Sequence, residues 1–251
     1  MKYTCIVAED EELLLHNMIK KIEECEAGFT VVGSAQTGVQ AYELIEQYNP
    51  DLVISDIRMP VMDGIELLKK VREGYPDMDF IFTTGYSDFE YTKQAIRYSA
   101  SEYLLKPIDP DELNEVLNRI KQKYLIAQQE MEQIFNEKLA GQTQEQIAEV
   151  LKDYLVANLS ENINLNLIAY NMGYSAGHLT KVFAAQYDMN PSKYLINLRM
   201  KKSQQMLIHN ENMSVRQIGE AVGYPDQAYF SRIFKKYVGV SPAEYRDEQN
   251  K

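Results

Sequence analysis

The chain has 251 residues, 45% of them apolar and 25% charged, with a formal net charge of −11. This composition supports packed cores and excludes wholesale disorder, and the length suits one large domain or two ordinary ones. No apolar run approaches the length of a bilayer span, "MKYTCIVAED" lacks a signal-peptide layout, and Cys5 and Cys25 lack metal-ligand spacing, so a protein of the reducing cytoplasm with no membrane partner is expected.

Charge is unevenly shared. Residues 1–149 carry 14 Lys+Arg against 28 Asp+Glu, and residues 150–251 carry 12 against 9. An acidic first half does not suit nucleic acid, whereas a mildly basic second half can accept it. In chain order, the first half alternates short apolar runs with amphipathic segments. The runs are "YTCIVA" (3–8), "FTVVGSA" (29–35), "DLVISD" (51–56), "DFIFTTG" (79–85) and "SEYLLK" (101–106). Val, Ile and Phe bounded by turn residues predict buried strands. "EELLLHNMIKKIEEC" and "GVQAYELIEQY" place apolar residues at three- and four-residue steps, which predicts helices between them. The alternation implies an α/β doubly wound, five-stranded parallel sheet covered by helices on both faces, with its function at the carboxyl ends of the strands.

From Asp109 a single helical period takes over, with Leu113, Leu117, Ile120, Tyr124, Ala127, Met131 and Ile134 on a heptad seam. The positions up to about Ile120 are expected to close the sheet. Those beyond it need another partner, and a second copy of the helix is the simplest. "LAGQTQ" (139–144) breaks the period and reads as a linker. The last hundred residues hold an internal repeat. Ile168 matches Ile218 and Gly173–Tyr174 matches Gly223–Tyr224; Phe183 then matches Phe234, Pro191 matches Pro242 and Tyr194 matches Tyr245 with one extra residue in the second copy. Each copy is a short helix, a Gly-containing turn and a second helix: an all-α region with two helix-turn-helix units. Small residues at Ala169 and Gly219 let the helices approach. Ser175 and Asp226 are expected to cap the second helices, and "SPAE" (241–244) is a capping box.

The strand ends carry the chemistry. Glu9 and Asp10 follow the first strand, Asp56 ends the third, Thr84 the fourth and Lys106 the fifth. Clustered carboxylates repel and raise one another's pKa, and a hard divalent cation relieves this. A carboxylate beside such a cation can act as nucleophile toward a phosphoryl group, with Lys106 balancing charge and the Thr84 hydroxyl donating to a phosphate oxygen. Singly, each residue has a plainer role: acids favour a helix start, Asp56 a turn. Together, in this order, they point to one site. A magnesium-dependent aspartyl phosphatase would want a second acid two residues after Asp56, and position 58 is Arg58.

Through "VAEDE", "PDLVISDIRMPVMDGIELL", "TGYSDFEYTKQAI" and "SEYLLKP", residues 2–122 resemble the receiver domain of two-component response regulators. The resemblance implies that Asp56 accepts a phosphoryl group from a sensor histidine kinase. It implies that magnesium (or manganese) is held by Asp10, Asp56 and the backbone carbonyl of Arg58, with Glu9 acting through water. It implies that Thr84 and Tyr103 form a switch pair, and that the chain catalyses only its own phosphoryl transfer and slow hydrolysis, so it is not otherwise an enzyme. Two departures stand out: Glu9 where Asp is usual, and Ser99 in place of a glycine. Residues 146–248 resemble the paired helix-turn-helix domain of AraC/XylS-type transcription regulators, and the whole chain resembles the YesN-type response regulators. The implied plan is a receiver at 1–122, a helical linker at 123–145 and a DNA-binding domain at 146–251, acting as a homodimer on double-stranded promoter DNA. Base-facing residues would be Ala176, Gly177, Thr180 and Lys181 in the first copy and Gln227, Ala228, Ser231 and Arg232 in the second, since a recognition helix offers its N-terminal side chains to base edges. Arg232 can pair with guanine and Gln227 with adenine.

Overall fold

The structure, a computed structural model, describes residues 3–85, 98, 100–135, 143–210 and 212–249, with backbone alone for 130–135. Ser99, most of "TGYSDFEYTKQAI", the Met131 and Ile134 side chains and the first part of "LAGQTQ" lie outside the described residues. By internal packing the chain divides into two units, Met1–Ala140 with Asn164–His178, and Gly141–Ile163 with Leu179–Lys251.

In the first unit the predicted strands form a parallel sheet: β1 (Tyr3–Ala8), β2 (Phe29–Ala35), β3 (Leu52–Asp56), β4 (Asp79–Thr84) and β5 (Glu102–Leu105), in the order β2-β1-β3-β4-β5. β3 is central and every one of its residues is buried. That is why its sequence is a near-continuous apolar run rather than an alternation. Strand order reverses beside β1, so β1 and β3 diverge from a crevice at their carboxyl ends. The register sets Asp56 opposite Thr83 and Thr84 opposite Leu105.

Helices α1 (Glu12–Glu24), α2 (Gly38–Tyr48) and α3 (Gly64–Gly74) cover the sheet. α1 buries Leu15, Met18 and Ile22, one stripe at helical spacing. Thr37 caps α2 by accepting from the Gln40 amide, and Asp63 with Glu66 forms a capping box on α3. Phe80 and Phe82, both fully buried and with ring centroids 4.9 Å apart, anchor the core under α3. Each is worth about 2–3 kcal/mol of burial.

α4 (Pro110–Phe135) follows β5. Leu113, Val116, Leu117 and Ile120 are buried as the period predicts. Tyr124, expected on a seam with a second chain, instead lies in the core at 2% exposure. Its ring centroid is 5.0 Å from that of Tyr3 and 6.5 Å from that of Phe29, and its hydroxyl donates to the Asp51 carbonyl at 2.9 Å. α4 therefore stays on the sheet one turn further than a count of apolar steps suggests.

The remaining helices are α5 (Gln144–Ala157), α6 (Leu165–Asn171), α7 (Ala176–Tyr187), α8 (Pro191–His209), α9 (Val215–Ala221), α10 (Gln227–Val238) and α11 (Pro242–Gln249). Nearly every start is capped: Thr143 for α5, Asn164 for α6, Asn190 ahead of Pro191 for α8, Ser214 for α9 and Asp226 for α10. Ser175 accepts from the His178 amide, and Ser241 exchanges bonds with Glu244, as the sequence predicts. The α9–α10 turn is tight. Gly223 sits at φ 86, and a Cβ on Gly219 would stand 3.1 Å from the Phe230 ring and 3.2 Å from the Tyr224 carbonyl oxygen.

Candidate functional site

The carboxyl ends of β1, β3 and β5 bring together the acids and the lysine singled out in the sequence. Glu9 is 3% exposed, Asp56 8%, and Asp10 is open to solvent. Carboxylate oxygens of the three lie within 4.8 Å of one another. Lys106, delivered just past β5, bridges two of them: its Nζ is 2.7 Å from Glu9 Oε2 and 3.0 Å from Asp56 Oδ1. The backbone fixes that reach, since the Lys106 amide donates to the Thr84 carbonyl at 2.7 Å, extending the β4–β5 ladder by one bond.

Burial pushes both Glu9 and Asp56 above the usual carboxylate range, outweighing the pull of Lys106 in the other direction. Burial also opposes the Lys106 charge, but its bond to Glu9 and the charge of Asp56 hold the ammonium above the usual lysine value. The site thus concentrates negative charge beyond what one ammonium neutralises. That is the donor set of a hard divalent cation: oxygen ligands, anionic, partly open to water through Asp10.

Thr84 is buried, and its hydroxyl donates to the Gly85 carbonyl at 3.2 Å. Tyr103 has 42% of its surface exposed. The Arg58 side chain is also exposed. Two features of the β3–α3 loop carried no signal that sequence reasoning used. Gly64 passes so close to β3 that a Cβ on it would meet the Asp56 carbonyl oxygen at 2.2 Å. Val61, 86% exposed, holds φ 70, a left-handed conformation costly for a β-branched residue. The "DG" at 63–64 was the one available cue: Asp63 caps α3, and the glycine clears the Asp56 carbonyl of β3.

Helix α10 buries Tyr229, Phe230, Ile233 and Phe234. Gln227 and Ala228 are exposed, and Ser231 and Arg232 half-buried. The Ser231 hydroxyl already donates to the Gln227 carbonyl at 2.9 Å, which leaves it less free for base edges than the sequence suggests. Tyr229 belongs to the core face, a position periodicity alone left open. In α7, Gly177 and Lys181 are exposed and Ala176 and Thr180 half-buried. His178 stacks on Tyr174 with ring centroids 5.2 Å apart.

Family profiles match both halves: a response regulator receiver domain over residues 5–118 and a helix-turn-helix domain over 168–248. The chain belongs to the two-component response regulators. Across its whole length this response regulator is similar to the transcriptional regulatory protein HptR of Staphylococcus aureus (strain NCTC 8325 / PS 47), 26% identical over 250 residues covering 97% of this chain and 98% of the relative. It is similar to transcriptional regulatory protein YesN of Bacillus subtilis (strain 168), 26% identical over 361 aligned positions covering 98% of each. Among solved structures, the receiver domain of AraT, a response regulator from Geobacillus stearothermophilus, is 37% identical and spans 51% of this chain and 99% of that one, with a TM-score of 0.49. A receiver joined to an AraC-type helix-turn-helix domain makes this response regulator one that controls transcription. Among the described residues, no helix is long and apolar enough to cross a membrane.

Proposed function

We propose that this response regulator is switched by phosphorylation of Asp56 and acts on promoter DNA as a cytoplasmic homodimer. The observation that carries the reading is Lys106 bridging Glu9 and Asp56 inside a cluster of three carboxylates. One Asp56 oxygen attacks the phosphorus of a phosphohistidine on a sensor kinase. The phosphorus–nitrogen bond breaks, the imidazole leaves with the electron pair, and an acyl phosphate forms on Asp56. Glu9, Asp10, Asp56 and the Arg58 carbonyl would hold magnesium, which offsets charge on the transferring group when bound. Lys106 then contacts a phosphoryl oxygen in place of Asp56 Oδ1, from which it stands 3.0 Å. Exposed Tyr103 and a Thr84 hydroxyl bonded to the adjacent Gly85 carbonyl suit the resting limb of a switch in which both turn toward the phosphoryl group. Beyond its own phosphoryl chemistry the chain is not an enzyme.

The division into receiver (1–122), helical linker (123–145) and DNA-binding domain (146–251) accords with profile matches over 5–118 and 168–248. On DNA, Ala176, Gly177, Thr180 and Lys181 face one stretch of major groove and Gln227, Ala228, Ser231 and Arg232 another. Gln227 and Arg232 supply most of the hydrogen-bond readout. Dimerisation raises affinity through effective concentration, which a nearly neutral DNA-binding half needs.

The test is intact-mass analysis and sedimentation after treatment with acetyl phosphate and magnesium, beside Asp56→Asn. A gain of one phosphoryl group and a shift to dimer, both absent in the variant, are expected. Equal phosphorylation of Asp56→Asn would place the acceptor elsewhere.

A further inference from the structure

Arg199 lies in the middle of α8, the helix that joins the two helix-turn-helix copies, and it is fully buried. A buried guanidinium is costly unless its fork of donors is met. Here Nε donates to the Leu159 carbonyl and Nη2 to the Glu161 carbonyl, both at 2.7 Å. These carbonyls belong to the segment between α5 and α6 that leads into the first copy. The guanidinium carbon also stands 5.2 Å from the centre of the Tyr224 ring, within cation–π range.

The second copy is built to accept this side chain. Gly223 takes φ 86, and a Cβ there would meet Arg199 Nη2 at 2.9 Å and Cζ and Nε at 3.0 Å. Only a residue without a side chain lets the α9–α10 turn close over the guanidinium. Tyr224, 2% exposed, is pinned by its amide to the Gly219 carbonyl at 2.8 Å. Its ring stacks on Phe230, in the buried face of α10, at 5.9 Å. A continuous series of contacts therefore runs from the Leu159–Glu161 segment through Arg199 and Tyr224 to α10. Two stretches far apart in sequence are keyed to one planar group.

We infer that Arg199 is a positioning residue for DNA recognition: it fixes α10 against the segment leading into the first copy and so sets the spacing of the two DNA sub-sites. It touches no base itself. The inference rests on the reading that α7 and α10 both contact bases. A lysine matches the charge but lacks the fork that satisfies two carbonyls and lies flat on a ring.

The experiment is selection from a random duplex pool of roughly 30 base pairs, about three helical turns, using full-length protein with acetyl phosphate and magnesium. Wild type is expected to enrich two motifs at one fixed spacing. Arg199→Lys and Arg199→Met should enrich the same two motifs with scattered spacing and lose about tenfold in affinity on the wild-type arrangement. Gly223→Ala, which perturbs the contact from the other side, should do likewise and serves where an Arg199 variant does not fold. A single sharp spacing in any folded variant overturns the inference and leaves the two-reader reading intact. Enrichment of only one motif by wild type overturns that reading and the inference together.

Discussion

Gly64→Ala should destabilise the receiver, against every local rule. Gly64 opens α3 at an ordinary negative φ, where exchanging glycine for alanine normally gains about 0.4–1 kcal/mol by restricting the unfolded chain. Here the new methyl would stand 2.2 Å from the Asp56 carbonyl oxygen, 3.1 Å from its carbonyl carbon and 3.0 Å from the Phe82 ring. Two of these neighbours are backbone of a fully buried central strand and cannot rotate away. Overpacking of this kind costs about 1–3 kcal/mol. The clash exceeds the entropic gain, for a net loss of roughly 1–2 kcal/mol. At about 2–4 °C per kcal/mol for a chain of this size, the receiver transition should fall by several degrees. Gly74→Ala, at the other end of the same helix, is the internal control. Its Cβ would meet only the Tyr42 hydroxyl at 3.8 Å, an ordinary contact, so it should be neutral or mildly stabilising. Scanning calorimetry on the two variants decides the matter, with acetyl phosphate labelling as a second readout, since the strand displaced by the methyl carries Asp56, the proposed acceptor. Equal melting of the two variants would refute the reasoning.

Removing the ammonium by Lys106→Met leaves two buried carboxylates uncompensated. With 24% of the lysine side chain exposed, the loss should be roughly 2 kcal/mol without magnesium, and added magnesium should restore more stability than it gives wild type in parallel melts; equal gains would count against the carboxylates as its ligands. Val61→Asn should raise the urea midpoint by relieving a left-handed β-branched residue, a gain of about 1 kcal/mol that Val61→Ile should not share. Maleimide at pH 8 should label half-buried Cys25 well before Cys5, which is fully buried and whose thiol burial pushes up to about 12. Comparable labelling rates by peptide mass would show that β1 opens readily.

Much of this molecule was legible in the sequence because its rules act locally. β3 reads as a strand since a fully covered strand has no polar face, and Asp226 reads as a cap since its side chain serves the Tyr229 amide three residues on. The acids and the lysine converge because a parallel sheet sends every strand end to one rim. What stayed hidden depends on partners distant in sequence. The α4 period predicts an apolar seam at Tyr124 but not whether a sheet or a second helix covers it. Arg199 looks like any charged residue in a Lys-rich helix, and only the carbonyls of Leu159 and Glu161 show why it is buried. Gly64 reads as a turn residue, while its need for bareness comes from Asp56, eight positions earlier.

The two copies of the helix-turn-helix are alike in frame and unlike in the side chains they offer: α7 exposes a bare glycine and a lysine where α10 exposes a glutamine and holds an arginine half-buried. A reader made of two unlike halves gives its target a head and a tail. Under the proposed reading, the same base pairs written backwards would seat a protomer end for end. The orientation of each protomer's pair of sub-sites thus becomes part of the message.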